Sequence, residues 1–174
     1  MEINGKKSMT ESLLVDTTKL TFLDQHKHFL FLKKLHPEAI MPRFANSGDV
    51  GMDLSSVEDL VIKAGERALI GTGWAMELWN PSYCLQICSR SGLAANYGVF
   101  VLNAPGIIDF NYRGEIKVIL QNSGASDFEV KEGMRIAQLL IVPVLKPTPT
   151  QILIKENLSE PDSRGEGGFG STGL

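Results

Sequence analysis

Residues 99–121 read VFVLNAPGIIDFNYRGEIKVILQ, and the fold class turns on this stretch. Two short apolar runs, Val99–Leu102 and Ile107–Asp109, flank Asn103-Ala104-Pro105-Gly106, whose Pro-Gly pair sets a turn, so the segment reads as a hairpin. A further run, Glu115–Gln121, follows at once. Outward from it the text keeps the same rhythm, with candidate strands at 29–32, 60–62, 67–70, 74–79, 83–88, 128–130, 135–144 and 151–154. Turn signals separate them: Lys63-Ala64-Gly65-Glu66, Asn80-Pro81-Ser82, Asn122-Ser123-Gly124 and Lys131-Glu132-Gly133. Helical periodicity is nearly absent, so the expected fold is all-β, a jelly-roll-like distorted β-barrel or sandwich. The one expected helix is short, Ser91–Asn96, ending near Gly98.

The chain has 174 residues, enough for one domain with its own core, and two cysteines do not make a disulfide framework. A net charge of −3 argues against a broad electrostatic grip on nucleic acid or on an anionic membrane, so any polyanion must be held locally. No run approaches the roughly 18 apolar residues of a membrane span, and the first twenty residues lack the apolar stretch of a signal peptide. An intracellular protein is expected. Residues 1–28 read as a polar N-terminal extension, residues 29–160 as the β domain, and residues 161–174 as a glycine-rich C-terminal arm.

Several motifs bear on chemistry. Gly168-Phe169-Gly170-Ser171-Thr172-Gly173 fits the G-x-G-x-x-G pattern, but only Leu174 follows, and dinucleotide binding needs a helix there. Five glycines beside Arg164, Ser171 and Thr172 suit either a phosphate clamp or a plain flexible tail. The three histidines, His26, His28 and His36, lie far from every glycine-rich or acidic segment, which speaks against a histidine triad or a zinc hydrolase. Cys84 and Cys88 share one strand face without the partners a zinc deaminase needs, and read as core cysteines. Ser89-Arg90-Ser91-Gly92-Leu93-Ala94 follows a strand and opens the short helix. It suits an anion site with an arginine beside it, or a serine cap with a solvated arginine. Asp109 fits a turn former or a catalyst, and Arg113 with Glu115 reads as an ion pair.

In order along the chain stand Ser47-Gly48-Asp49-Val50-Gly51-Met52-Asp53-Leu54, Ser89-Arg90-Ser91-Gly92-Leu93-Ala94 and Gly106-Ile107-Ile108-Asp109-Phe110-Asn111-Tyr112-Arg113-Gly114-Glu115. Gly133-Met134-Arg135-Ile136-Ala137-Gln138 and the segment Arg164–Gly173 complete them. Together, over residues 29–174, these five motifs closely resemble those of the homotrimeric dUTPase family. The resemblance implies a trimer with active sites shared between subunits, hydrolysing dUTP to dUMP and pyrophosphate with Mg²⁺. That activity limits uracil in DNA and supplies dUMP.

Carried over by position, Asp109 would activate the water that attacks the α-phosphorus, worth about 10² to 10⁴ in rate for a general base. Asp53 would sit near the metal through water, because Mg²⁺ keeps much of its hydration. Tyr112 would lie flat on the deoxyribose, and Asn103, with backbone groups of the turn including Gly106, would read uracil. Arg90, Ser91, Gly92 and Gln138 would hold phosphates. Phe169 would stack on the base from a neighbouring subunit's arm, with Arg164, Ser171 and Thr172 on the terminal phosphates. The chain departs from the family at Ser89, usually Pro, at Asn111, often Asp, and at Asp49-Val50, usually small residues. A dCTP deaminase of the same fold, or a regulatory protein switched by bound nucleotide, are the competing readings. Tyr112-Arg113-Gly114 and the complete fifth motif disfavour the deaminase.

Overall fold

The computed structural model describes residues 30–156. The chain divides into two compact units, Met1–Val144 and Leu145–Leu174. The described residues of the first unit form ten strands in the order β1 (Leu30–Lys34), β2 (Met52–Ser55), β3 (Leu60–Ile62), β4 (Arg67–Leu78), β5 (Tyr83–Cys88), β6 (Val99–Val101), β7 (Gly106–Ile108), β8 (Glu115–Asn122), β9 (Phe128–Val130) and β10 (Arg135–Pro143). One helix, α1 (Ser91–Tyr97), joins β5 to β6. The strands form two four-stranded sheets, β1-β4-β8-β6 and β2-β10-β5-β7, and a two-stranded ribbon, β3-β9. The all-β, jelly-roll-like reading holds, with one short helix among the described residues and the barrel open as two facing sheets rather than closed.

Strand β8 shows why these residues choose sheet. In Glu115–Asn122 every second residue, from Ile116 through Val118 and Leu120 to Asn122, is buried, the period of a strand with one face in the core. Ile116, Val118 and Leu120 join Leu54, Leu85, Ile87, Val99, Ile136 and Leu139 in one apolar cluster fed by both four-stranded sheets. Full burial of a single Leu or Ile contributes about 1.5–3 kcal/mol.

Four expectations change. The segments at 67–70 and 74–79 are one strand, β4, bent where its register with β8 shifts between Gly71 and Ala75. At that bend the amides of Gly71 and Gly73 donate to the carboxylates of Glu58 (2.8 Å) and Glu115 (2.9 Å). Gly73 has φ +72°, and a Cβ there would lie 2.6 Å from that of Ala39, so the bend requires glycine. Strand β2 was not foreseen, because Met52–Ser55 is too short and too polar to announce itself. Residues 151–154 form no strand; in the second unit a 3₁₀ turn, Pro149–Gln151, is capped where Gln151 accepts from the Thr148 amide at 2.7 Å. Most consequentially, residues 99–108 are not a hairpin. β6 pairs with β8 and β7 pairs with β5, so the Asn103–Pro105 turn carries the chain from one sheet to the other.

The Arg113–Glu115 pair is also replaced. Arg113 meets Glu77 at 3.1 Å and Glu115 meets Lys117 at 3.5 Å. Cys84 is buried as expected, whereas Cys88 is half-buried, and both are free thiols. Among the described residues no helix is long and apolar enough to cross a membrane.

Asn122 is the most exacting polar residue of the core. It is fully buried, its amide donates to the carbonyls of Ile62 and Ser126 (2.9 Å each), and its oxygen accepts from Gly124 N–H at 2.9 Å. Asn122→Ala strands three backbone groups and should cost about 2–4 kcal/mol, read as a lower midpoint of urea unfolding. A midpoint equal to that of the parent chain would show that these bonds are dispensable.

Candidate functional site

Two cavities carry the site residues. The first, of about 330 Å³, is lined by Asn103, Gly106, Asp109 and Tyr112 together with apolar residues such as Leu69 and Ile119. The second, of about 570 Å³, is lined by Gly51, Asp53, Arg90, Ser91, Gly92 and Gln138, with Arg135 and the 45–50 loop. No residue is common to both. Phe169, Arg164, Ser171 and Thr172 lie outside the described residues.

The second cavity is built around one carboxylate. Asp53 sits on β2 with its amide donating to the Arg43 carbonyl at 2.9 Å. Its Oδ1 meets Arg90 Nε at 3.1 Å and its Oδ2 meets Arg135 Nη1 at 2.9 Å, with the Asp53 side chain only 16% exposed. Arg90 also donates from Nη1 to the Arg135 carbonyl at 3.0 Å. Arg90 is the N-cap position of α1 and makes no side-chain cap bond, so the plain serine-cap reading is set aside. Gln138 pairs in register with both Asp53 and Cys88, and its amide nitrogen donates to the Ser89 carbonyl at 2.9 Å.

Arg135 was not singled out by the sequence, although it stands in the fourth motif with Gln138. Alternation along a strand puts residues three apart on opposite faces. Here the register of β10 against β2 shifts between Arg135 and Ala137, adding one residue. The bulge lets Ile136 and Ala137 both be buried while Arg135 and Gln138 both line the cavity.

Asp49 also lines this cavity and is held locally. Its carboxylate accepts from the Asn46 amide at 2.7 Å, which closes the loop of the first motif. The departure at Ser89 likewise has a partner, since its Oγ accepts from Val101 N–H at 3.0 Å. The lining charges of Asp49 and Asp53 therefore offset those of Arg90 and Arg135. Among the described residues no group of three or more His, Cys, Asp or Glu could hold a metal ion.

In the first cavity Tyr112 is fixed at both ends. Its amide donates to the Asp109 carbonyl at 3.0 Å and its hydroxyl to the Glu115 carbonyl at 2.9 Å. The ring lies so close to Gly114 that a Cβ there would fall 2.5 Å from the hydroxyl. Leu69, Ile107 and Tyr112 are 59%, 52% and 44% exposed, an apolar rim open on one side.

The family model for dUTPase matches residues 37–173. The deoxyuridine 5'-triphosphate nucleotidohydrolase of Clostridium acetobutylicum is 54% identical over 145 residues, 83% of this chain and 97% of that protein. The enzyme of the same name from Nautilia profundicola is 51% identical over 144 residues, 83% of this chain and 98% of its own. Among solved structures, the dUTPase of Staphylococcus bacteriophage 80alpha with dUpNHpp is similar at a TM-score of 0.74 and 27% identity, covering 83% of this chain and 98% of that one.

Gly51 tests the second cavity. A Cβ at this position would sit 2.5 Å from Gln138 Oε1, so Gly51→Ala must push the Gln138 amide away from the Ser89 carbonyl. Titration calorimetry with pyrophosphate should show affinity reduced about three- to tenfold, the size of one displaced hydrogen bond. Unchanged affinity would mean that Gln138 does not contribute to anion binding.

Proposed function

The chain belongs to the dUTPase family, and from that premise we propose that it hydrolyses dUTP to dUMP and pyrophosphate in an active site completed by other copies of itself. The observation that carries the reading is the gathering of Asn103, Gly106, Asp109 and Tyr112, distant in chemistry but not in space, into one cavity. Asp109 orients and deprotonates the water that attacks the α-phosphorus. As the phosphorus–oxygen bond to the bridging oxygen breaks, pyrophosphate leaves with the electron pair. Tyr112, held at both ends, presents its ring to the deoxyribose and leaves no room for a 2′-hydroxyl.

Asn103 and the backbone around Gly106 read the base. Gly106 belongs here on steric grounds, because a Cβ would lie 3.2 Å from Asn103 Nδ2. Cytosine presents the opposite donor and acceptor pattern and leaves buried groups unpaired, a penalty of about 10⁴ in selectivity. A thymine methyl is worth only about 1–3 kcal/mol, so its exclusion depends on a turn that cannot widen.

Phosphates belong to the other cavity, with Arg90, Ser91, Gly92, Gln138 and the added Arg135. Because its acidic and basic linings balance, a triphosphate must bring compensating positive charge with it. That fits Mg²⁺ arriving with the substrate, which Asp53 would approach through water, since both its oxygens face guanidinium groups. When bound, the ion neutralises charge on the phosphates. The fifth motif assigns Arg164, Ser171 and Thr172 to the terminal phosphates and Phe169 to the base.

A single chain keeps its water-activating carboxylate and its phosphate cavity apart. This split, and the open apolar rim of Leu69 and Ile107, support a homotrimer in which the cavities of different copies face one another. In this reading residues 29–160 are assigned to the dUTPase domain and residues 1–28 to an added extension. The reading keeps the protein in the cytoplasm, where its nucleotide substrate is found.

Pyrophosphate release from dUTP, dCTP, dTTP and UTP with Mg²⁺ tests this directly. Release from dUTP alone is expected, with kcat falling at least about 10²-fold in Asp109→Asn. Tight dUTP binding without release would favour a nucleotide switch instead, and ammonia from dCTP a deaminase. Asn103→Ala should lower the preference for dUTP over dCTP more than it lowers kcat; unchanged preference would put base reading elsewhere.

A further inference from the structure

Among the described residues, a serine ties the segments of the two cavities together within a chain. Ser89 follows β5 and precedes Arg90, which lines the phosphate cavity with Gln138, and its carbonyl accepts from Gln138 Nε2 at 2.9 Å. Its hydroxyl points the other way and accepts from Val101 N–H at 3.0 Å. Val101 is on β6, the edge of the other sheet, paired with β8 on one side only. Its amide would otherwise be an unpaired donor on a residue that is 1% exposed. Two residues further on is Asn103, and Val101 and Asn103 line the same cavity.

We infer that Ser89 is a positioning residue whose hydroxyl sets the base-reading turn relative to the phosphate-binding segment, and that base selectivity in this chain depends on it. The inference rests on the dUTP reading for its kinetic consequence but not for its structural one. The turn has few other ties: Leu102 N–H donates to Ile119 at 2.9 Å and Ala104 N–H to Val101 at 3.2 Å. Losing the hydroxyl therefore frees the segment carrying Asn103 while leaving the core below it intact. A ground-state binding element lost in this way raises KM and spares kcat. Since dCTP gains nothing from a well-placed Asn103, its kinetics should scarcely change.

The test compares full-length wild type, Ser89→Ala and Ser89→Thr by two readouts. Amide hydrogen exchange needs no nucleotide: Val101 should exchange faster in Ser89→Ala and at the wild-type rate in Ser89→Thr, which keeps the hydroxyl. Kinetics should show KM for dUTP about three- to tenfold higher in Ser89→Ala with kcat within about twofold, discrimination against dCTP reduced in proportion, and recovery in Ser89→Thr. An unaltered Val101 exchange rate in Ser89→Ala overturns the proposal. So does faster exchange with KM and discrimination at wild-type values, which would reduce Ser89 to a structural tie. If wild type turns over none of the nucleotides, the dUTP reading fails by itself, and the exchange comparison still decides whether Ser89 holds the turn.

Discussion

Both oxygens of Asp53 are taken by guanidinium groups, and the polar cavity depends on that arrangement. A carboxylate mostly removed from water would be costly alone, and two arginines competing for one anion would repel each other. Joined, they fix β2, the start of α1 and the start of β10 at one point. Each arginine is then ordered before any phosphate arrives, which reduces the entropy lost on binding. The pairing also limits what Asp53 can do for a metal, because each of its oxygens already faces a guanidinium group.

Around that point the topology does the sorting. β10 lies between β2 and β5, so its residues are read against two neighbours at once. Gln138 ends up beside Asp53 on one side and at the Ser89 carbonyl on the other. The Asn103–Pro105 turn leaves the first sheet and enters the second, and the Asp109–Tyr112 segment follows directly. A base-reading turn built as a crossover has strands of two sheets behind it. A simple hairpin would have one.

Much of the fold was legible in the sequence because strands announce themselves by runs and turns. β5 and β9 have the bounds expected from short runs between turns, and α1, expected over Ser91–Asn96, runs one residue further to Tyr97. What was not legible was pairing. Nothing in Val99–Ile108 tells whether its two runs bond to each other or to distant strands, since that is decided by what Leu120 and Leu85 offer across the core. The ion pairs failed for the same reason: Glu77 is remote in sequence and adjacent in space to Arg113. Motif resemblance names Asn103, Gly106, Asp109 and Tyr112, which line one cavity, and Asp53, Arg90, Ser91, Gly92 and Gln138, which line the other. Arg135 is not legible in the same way, because plain alternation would set it on the face opposite Gln138 and only the bulge brings the two together.

That bulge has a consequence for how the protein can change over generations. Ile136 and Ala137 are two residues doing the geometric duty of one, so the distance between Arg135 and Gln138 is counted rather than merely filled. Side chains there can be exchanged for others of similar size and the cavity survives. Removing a single codon would turn Arg135 to the opposite face, away from Asp53 and Gln138. Drift at this place should thus run through substitution and almost never through a change in length.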